Sequence, residues 1–204
     1  MKIFCVGLNY VDHVKEFGDR EVPTEPVIFS KPDTAILKNN EPFYFPEFSK
    51  EIDYETELVI KISKEGKYID PKFALKYFDE IGLGIDFTAR DLQRALKSKG
   101  HPWEISKGFN GSAPISDFVP VNKYADIQSL NFSLHINGQL RQQGNTADMV
   151  FKISDLISYI SKYFLLKKGD LIFTGTPVGV GPVKLGDRLE GFLEDQKMLD
   201  FVIK

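Results

Sequence analysis

The chain has 204 residues, 42% hydrophobic and 27% charged, a length and balance expected of one globular domain over 1–204. Its 26 basic and 29 acidic side chains leave a net charge of −3, too little cationic field for a phosphate backbone, so nucleic acid is not an expected partner. No apolar run approaches the length of a membrane span, so no membrane association is expected and the cytoplasm is the expected location.

The first element is a strand at 2–6. Its apolar stretch Ile3 to Leu8 is far shorter than a secretory core and runs at once into Asn9, Asp12 and His13. Cys5 is the only cysteine, so it forms no internal disulfide, and its place between Phe4 and Val6 reads as a buried strand position. If the chain turns helical after Asn9, His13 and Glu16 stand three residues apart on one face and can hydrogen-bond. That is the geometry of an assisted general base, and also of an ordinary surface pair. The segment Glu16 to Thr24 that follows is polar.

Strands are then expected at 26–30, 34–37 and 52–63. The third contains Asp53-Tyr54-Glu55-Thr56-Glu57-Leu58, and strand alternation places Asp53, Glu55 and Glu57 on one face. Carboxylates crowded in this way need water, a cationic side chain or a metal to compensate them, and hard oxygen donors suit magnesium, manganese or calcium. An isolated Glu-x-Glu also occurs on solvated edge faces. Asp86 adds a second acidic element where the strand predicted at 80–85 ends, a position from which side chains project into sites.

A short helix should follow Pro71, and another should run from about 89 to 99 and close at Gly100. Lys107 precedes the irregular Gly108 to Pro114 stretch, and a lysine fixed in such a loop could stabilise enolate or carboxylate charge, or simply be solvated. Further strands are expected at 130–136, 140–143, 170–174, 188–193 and 198–203. Asn137-Gly138 is a hairpin signal, because a type I′ turn needs positive φ at both central residues. Ile153, Leu156, Ile157, Ile160 and Phe164 recur with helical spacing before Gly169. The hydroxyls and N–H groups of Thr174-Gly175-Thr176-Pro177 could grip a carboxylate, or merely end a strand. There is no Gly-x-Ser-x-Gly elbow, and no Gly-Lys-Ser/Thr follows Gly175 to Gly181, so serine-hydrolase and nucleotide-binding readings fail. The sum is α+β, mainly β and mainly antiparallel, with a few covering helices.

Taken in order, GLNYVDHVKE, PVIFSKP, DYETEL, GIDFTARDLQ, HPWEISKGFNGSAP, QQGNT and KKGDLIFTGTPVGVG followed by LGD resemble the fumarylacetoacetate hydrolase family through nearly the whole chain. The resemblance implies a mixed β-sandwich roll of the family's C-terminal domain type, with a metal in a cleft and a homodimer as the usual assembly. It implies Glu55, Glu57 and Asp86 as metal ligands, with Mg2+ as the expected ion and Mn2+ or Ca2+ as alternatives. Arg90, Gln93, Lys107 and Thr176 would stand beside the substrate, and His13 with Glu16 would form the base pair next to a closing lid, which the polar segment Glu16 to Thr24 would supply. Many relatives have Asp where this chain has Asn110 and Ser where it has Thr34, and some have Arg where it has Leu8, so no role is carried onto those positions. Without the large N-terminal domain of the longest members, the chain resembles the compact bacterial type and its mitochondrial counterparts.

The function implied is cleavage of a C–C bond in a small 2-oxo acid, by hydrolysis of an acylpyruvate or fumarylpyruvate or by decarboxylation of oxaloacetate, through a metal-stabilised enolate. Isomerisation of a 2-hydroxy-dienedioate, or tautomerisation of oxaloacetate, needs only proton transfer at the same carbonyl and ranks second. A non-catalytic binding protein on the same fold would be expected to lack an acid or the base pair, and this chain has them all.

Overall fold

A computed structural model describes residues 1–16 and 21–204. Six strands form the main sheet in the order Val27–Lys31, Ile3–Gly7, Leu171–Phe173, Thr56–Ile62, Phe78–Ile85 and Val119–Pro120. Ile3–Gly7 runs parallel to Leu171–Phe173 and the other neighbours are antiparallel, so the sheet is mixed. A second, antiparallel sheet has the order Gln139–Asn145, Asn131–Ile136, Arg188–Leu193 and Gln196–Val202. Two small sheets complete the architecture, one joining Gly181–Pro182, Ile52–Tyr54 and Thr88–Ala89, the other pairing Ile36–Leu37 with Ala113–Pro114.

The burial pattern explains the layers. In Asn131–Ile136 the buried residues are Phe132, Leu134 and Ile136, and in Arg188–Leu193 they are Leu189, Gly191 and Leu193, a period of two that gives the second sheet one apolar face. That face joins Leu58, Ile60, Ile62 and Leu83 of the main sheet in one core, into which Ile153, Leu156, Ile157 and Ile160 of the helix Ile153–Tyr163 also pack. The reverse face of the main sheet buries Ile3, Cys5, Val59, Leu171 and Phe173 against Ala113 and Ile115. With both faces covered, Thr56–Ile62 is buried almost throughout, and acidic groups on it are forced out of solvent.

Most expected elements form. The hairpin turn has φ 53° at Asn137 and 74° at Gly138, as type I′ requires. The helix Arg90–Ser98 closes at Gly100, whose φ is 65°, and Pro71–Ala74 is capped by the Asp70 carboxylate, which accepts from Lys72 N–H. Cys5 is buried in its strand. Among the described residues no helix is long and apolar enough to cross a membrane.

Three expectations change. The strand expected at 52–63 is divided at Glu55 between two sheets, because Thr56 N–H donates to Gln142 Oε1 and Glu55 O accepts from Asp86 N–H, so the ladder is interrupted there. Residues 34–37 form a strand only at Ile36–Leu37, after a 3-10 turn at Asp33–Ala35. Lys107 does not sit in a loop but ends the helical turn Glu104–Lys107. The lid expected over Glu16 to Thr24 centres on residues 17–20, which lie outside the described ones.

Candidate active site

The division at Glu55 builds the site. Alternation still sends Asp53, Glu55 and Glu57 to one side, while the end of Phe78–Ile85 brings Asp86 up to them through its N–H bond to Glu55 O. Glu55, Glu57 and Asp86 each present a carboxylate oxygen within 4.8 Å of the others, and all three are buried. Around them runs a chain of alternating charge. Arg90 Nε donates to Asp53 Oδ2 at 2.7 Å, and Arg90 bonds Glu55 Oε1 at 2.6 Å. Lys107 Nζ bridges Glu55 Oε2 at 2.8 Å and Asp86 Oδ2 at 2.7 Å. Lys31 Nζ lies 2.8 Å from Asp86 Oδ1, an ion contact without hydrogen-bond alignment.

Glu57 stands apart from this chain. It is 1% exposed, its Oε2 accepts from Gly175 N–H at 2.6 Å, and no described lysine, arginine or histidine forms an ion pair with it. Burial, then the charges of Asp86 and Glu55, push its carboxyl well above the usual range, against the opposing Gly175 hydrogen bond. Glu55 behaves oppositely: burial would raise it, but Lys107, Arg90 and His13 outweigh burial and hold it well below that range. Lys107 and Arg90 are likewise opposed by burial yet raised by their carboxylates, so both stay charged. The two acids thus shift in opposite directions, because Lys107 and Arg90 bond Glu55 directly whereas no described cation forms an ion pair with Glu57.

A cleft of about 370 Å3 opens onto these groups, lined by His13, Glu55, Glu57, Arg90, Gln93, Lys107 and Thr176 among others. Seven of the nine site residues expected from sequence therefore meet there. The eighth, Asp86, is 0% exposed and sits behind Lys107, and the ninth, Glu16, braces His13. His13 is buried, 5% exposed, with its Nδ1 2.8 Å from Oε2 of Glu16, which is itself exposed. Gly179 N–H donates to Glu16 Oε1 at 2.7 Å, which ties the pair to the loop carrying Thr176. That loop needs its glycines. Gly175 has φ 102° and a Cβ there would stand 2.6 Å from Asn9 Cβ.

Several supporting residues were not singled out by sequence. Lys31, fully buried, donates to Phe87 O, Ser112 O, Ser112 Oγ and Lys107 O while facing Asp86. Gln142 accepts from Thr56 N–H and donates to Thr176 Oγ1 and Pro177 O, and Thr176 Oγ1 in turn donates to Thr56 O. Asn9 bonds Thr174 O, Phe151 O and Phe151 N–H, fixing the chain just before the His13 helix. The only sequence signal for Lys31 and Asn9 is their place inside the PVIFSKP and GLNYVDHVKE motifs.

Residues 2–202 match the family model described as Fumarylacetoacetate (FAA) hydrolase C-terminal. The chain is 43% identical over 202 residues to Oxaloacetate tautomerase FAHD1, mitochondrial, of Mus musculus, covering 99% of this chain and 91% of the relative. It is 43% identical over 189 residues to Oxaloacetate tautomerase YcgM of Escherichia coli (strain K12), covering 92% and 86%. A fumarylpyruvate hydrolase from Pseudomonas aeruginosa, solved in complex with Mn2+ and pyruvate, superposes with a TM-score of 0.93 at 33% identity, covering 100% of this chain and 90% of that one.

Proposed function

The chain belongs to the fumarylacetoacetate hydrolase family, and from that premise we propose that it is a divalent-metal-dependent enzyme of small 2-oxo acids whose ion, Mg2+ in the cell, is held by Glu55, Glu57 and Asp86. The observation that carries this reading is Glu57, which is buried beside two other carboxylates and with which no described cationic side chain forms an ion pair. Such a group is costly to bury unless a positive charge reaches it, and its open side is the cleft. The all-oxygen donor set suits Mg2+ and would accept Mn2+ or Ca2+. When bound, the cation supplies Lewis acidity to the 2-oxo group and offsets the clustered negative charge.

The remaining work falls to side chains. Arg90, Gln93 and Thr176 orient the substrate. Lys107 places a permanent positive charge where the enolate oxygen forms. His13, held by Glu16, moves the proton at C3. With that proton transfer alone the enzyme interconverts the enol and keto forms of oxaloacetate, the reaction favoured by the two relatives at 43% identity. A second reading, C–C cleavage of an acylpyruvate or decarboxylation of oxaloacetate, draws on the same enolate. It is favoured by the fumarylpyruvate hydrolase likeness and by a His13–Glu16 pair able to activate water. We place this single catalytic domain in the cytoplasm as a homodimer, the usual minimum assembly of the family.

Purified protein with Mg2+ or Mn2+, offered enol oxaloacetate, keto oxaloacetate, acetylpyruvate, fumarylpyruvate and a hydroxy-dienedioate, should show one dominant activity that chelation removes. Tautomerisation of oxaloacetate is the expected one. Turnover of none of these acids, or turnover indifferent to chelation, would overturn the proposal.

A further inference from the structure

We infer that Trp103 is a specificity-determining residue: with Phe29 it walls the cleft off from a second cavity and so holds the enzyme to 2-oxo acids with a short distal group. The inference rests on the cleft's being a 2-oxo acid site. The lining of the cleft divides by chemistry, with Glu55, Glu57 and Arg90 charged and Val6, Leu8, Val27, Phe29 and Trp103 apolar. A substrate whose carboxylate and keto oxygens meet the charged groups lays its remaining carbons on the apolar ones. A second cavity, of about 400 Å3, shares Val27, Phe29, Trp103 and Lys107 with the cleft, so these side chains stand between the two spaces.

The two rings of this partition are half-buried and held from both ends. Phe29 lies in the strand Val27–Lys31, opposite Cys5 in the main sheet. Trp103 heads the helical turn Glu104–Lys107, and its carbonyl accepts from Ser106 N–H, Lys107 N–H and Ser106 Oγ. That turn ends in Lys107, whose ammonium bonds Glu55 and Asp86 and lies 5.0 Å from the centroid of the Phe29 ring. The indole itself meets Phe29 edge-on at 6.0 Å and carries the Lys97 ammonium at 4.7 Å. The wall is therefore braced against the acid cluster and does not swing aside for a longer chain. Without the indole the two spaces join. The space gained is bounded by Ile28 and Pro102 and by the carboxylate of Glu104, which suits a neutral hydrocarbon chain and opposes a second carboxylate.

The test is a series of straight-chain acids, pyruvate, 2-oxobutanoate, 2-oxohexanoate and 2-oxooctanoate, titrated calorimetrically into the Mg2+-loaded protein, which needs no turnover. The wild-type protein is expected to bind 2-oxooctanoate no more tightly than 2-oxobutanoate. In Trp103→Ala each methylene that finds apolar surface is worth up to about fourfold, so the ratio of the two affinities should rise by at least about tenfold. Trp103→Phe should fall between. Trp103 is the only tryptophan, so its emission reports on the wall in the unaltered protein. 2-Oxohexanoate should move the emission maximum to shorter wavelength by more than pyruvate does. A wild-type affinity that climbs through 2-oxooctanoate, a Trp103→Ala profile like that of the wild-type protein, or an emission that answers both acids alike would overturn the inference alone. Binding of none of the acids to the wild-type protein would remove the 2-oxo acid reading and this inference with it.

Discussion

Glu55→Gln is expected to abolish metal-dependent turnover, by at least about 10²–10³-fold, and to erase the thermal stabilisation that Mg2+ gives the wild-type protein. The carboxylate stands between Glu57 and Asp86 and answers both Arg90 and Lys107. An isosteric amide keeps the volume but removes the charge on which cation and salt bridges depend. Saturation at a hundredfold excess over Kd is worth about 2.7 kcal/mol, or roughly 5–10 °C for a chain of this size. That shift should be present in the wild-type protein and missing in the variant. The variant also leaves Arg90 and Lys107 short of a partner, so its metal-free melting temperature should fall. For that reason the decisive quantity is the increment on adding Mg2+, not the absolute melting point. An increment equal to that of the wild-type protein would remove Glu55 from the ligand set.

His13→Ala should have the next largest effect and a different signature. A positioned acid–base group contributes about 10²–10⁴-fold, so kcat should fall within that range. KM should change little, and the Mg2+ increment should persist, because His13 is not one of the three acids and its Nδ1 is held by Glu16. Glu16→Gln should cost less, since Gly179 N–H can still hold the amide oxygen and with it some of the ring orientation. Full retention of activity in His13→Ala would assign the proton transfer to another group. Loss of the metal increment instead would make His13 a structural support of the acidic cluster.

The parts of the site governed by local periodicity were legible before any coordinates. A period of two put Glu55 and Glu57 on one face, the end of an apolar run marked Asp86, and helical spacing joined His13 to Glu16. The parts that depend on distant chain were not. Lys31 is the last residue of a half-buried strand, and what buries it is a ring of carbonyls 56 to 81 positions away. Gln142 lies in a strand whose other residues are mostly exposed, so nothing nearby distinguishes the one glutamine that replaces a ladder partner for Thr56. The break at Glu55 was hidden for the same reason: seen alone, 52–63 has no glycine or proline to end a strand, and only the Gln142 amide and the Asp86 N–H make the interruption affordable.

The fold follows the same rule. Strands with strict alternation, such as Asn131–Ile136 and Arg188–Leu193, and the Asn137-Gly138 turn between neighbouring strands, are written locally. The parallel pairing of Ile3–Gly7 with Leu171–Phe173 joins opposite ends of the chain, and no periodicity announces it. It is that pairing which brings the Asn9 and His13 segment against Thr174 and Gly175, and so closes the cleft.

The most direct measurement is a crystal structure of the Mn2+-soaked protein, with data collected at the manganese absorption edge. One anomalous peak is expected, within oxygen-ligand distance of the carboxylates at 55, 57 and 86 and open toward the cleft. A peak elsewhere, or none while those oxygens keep only their lysine, arginine and backbone partners, would contradict the metal-centred account.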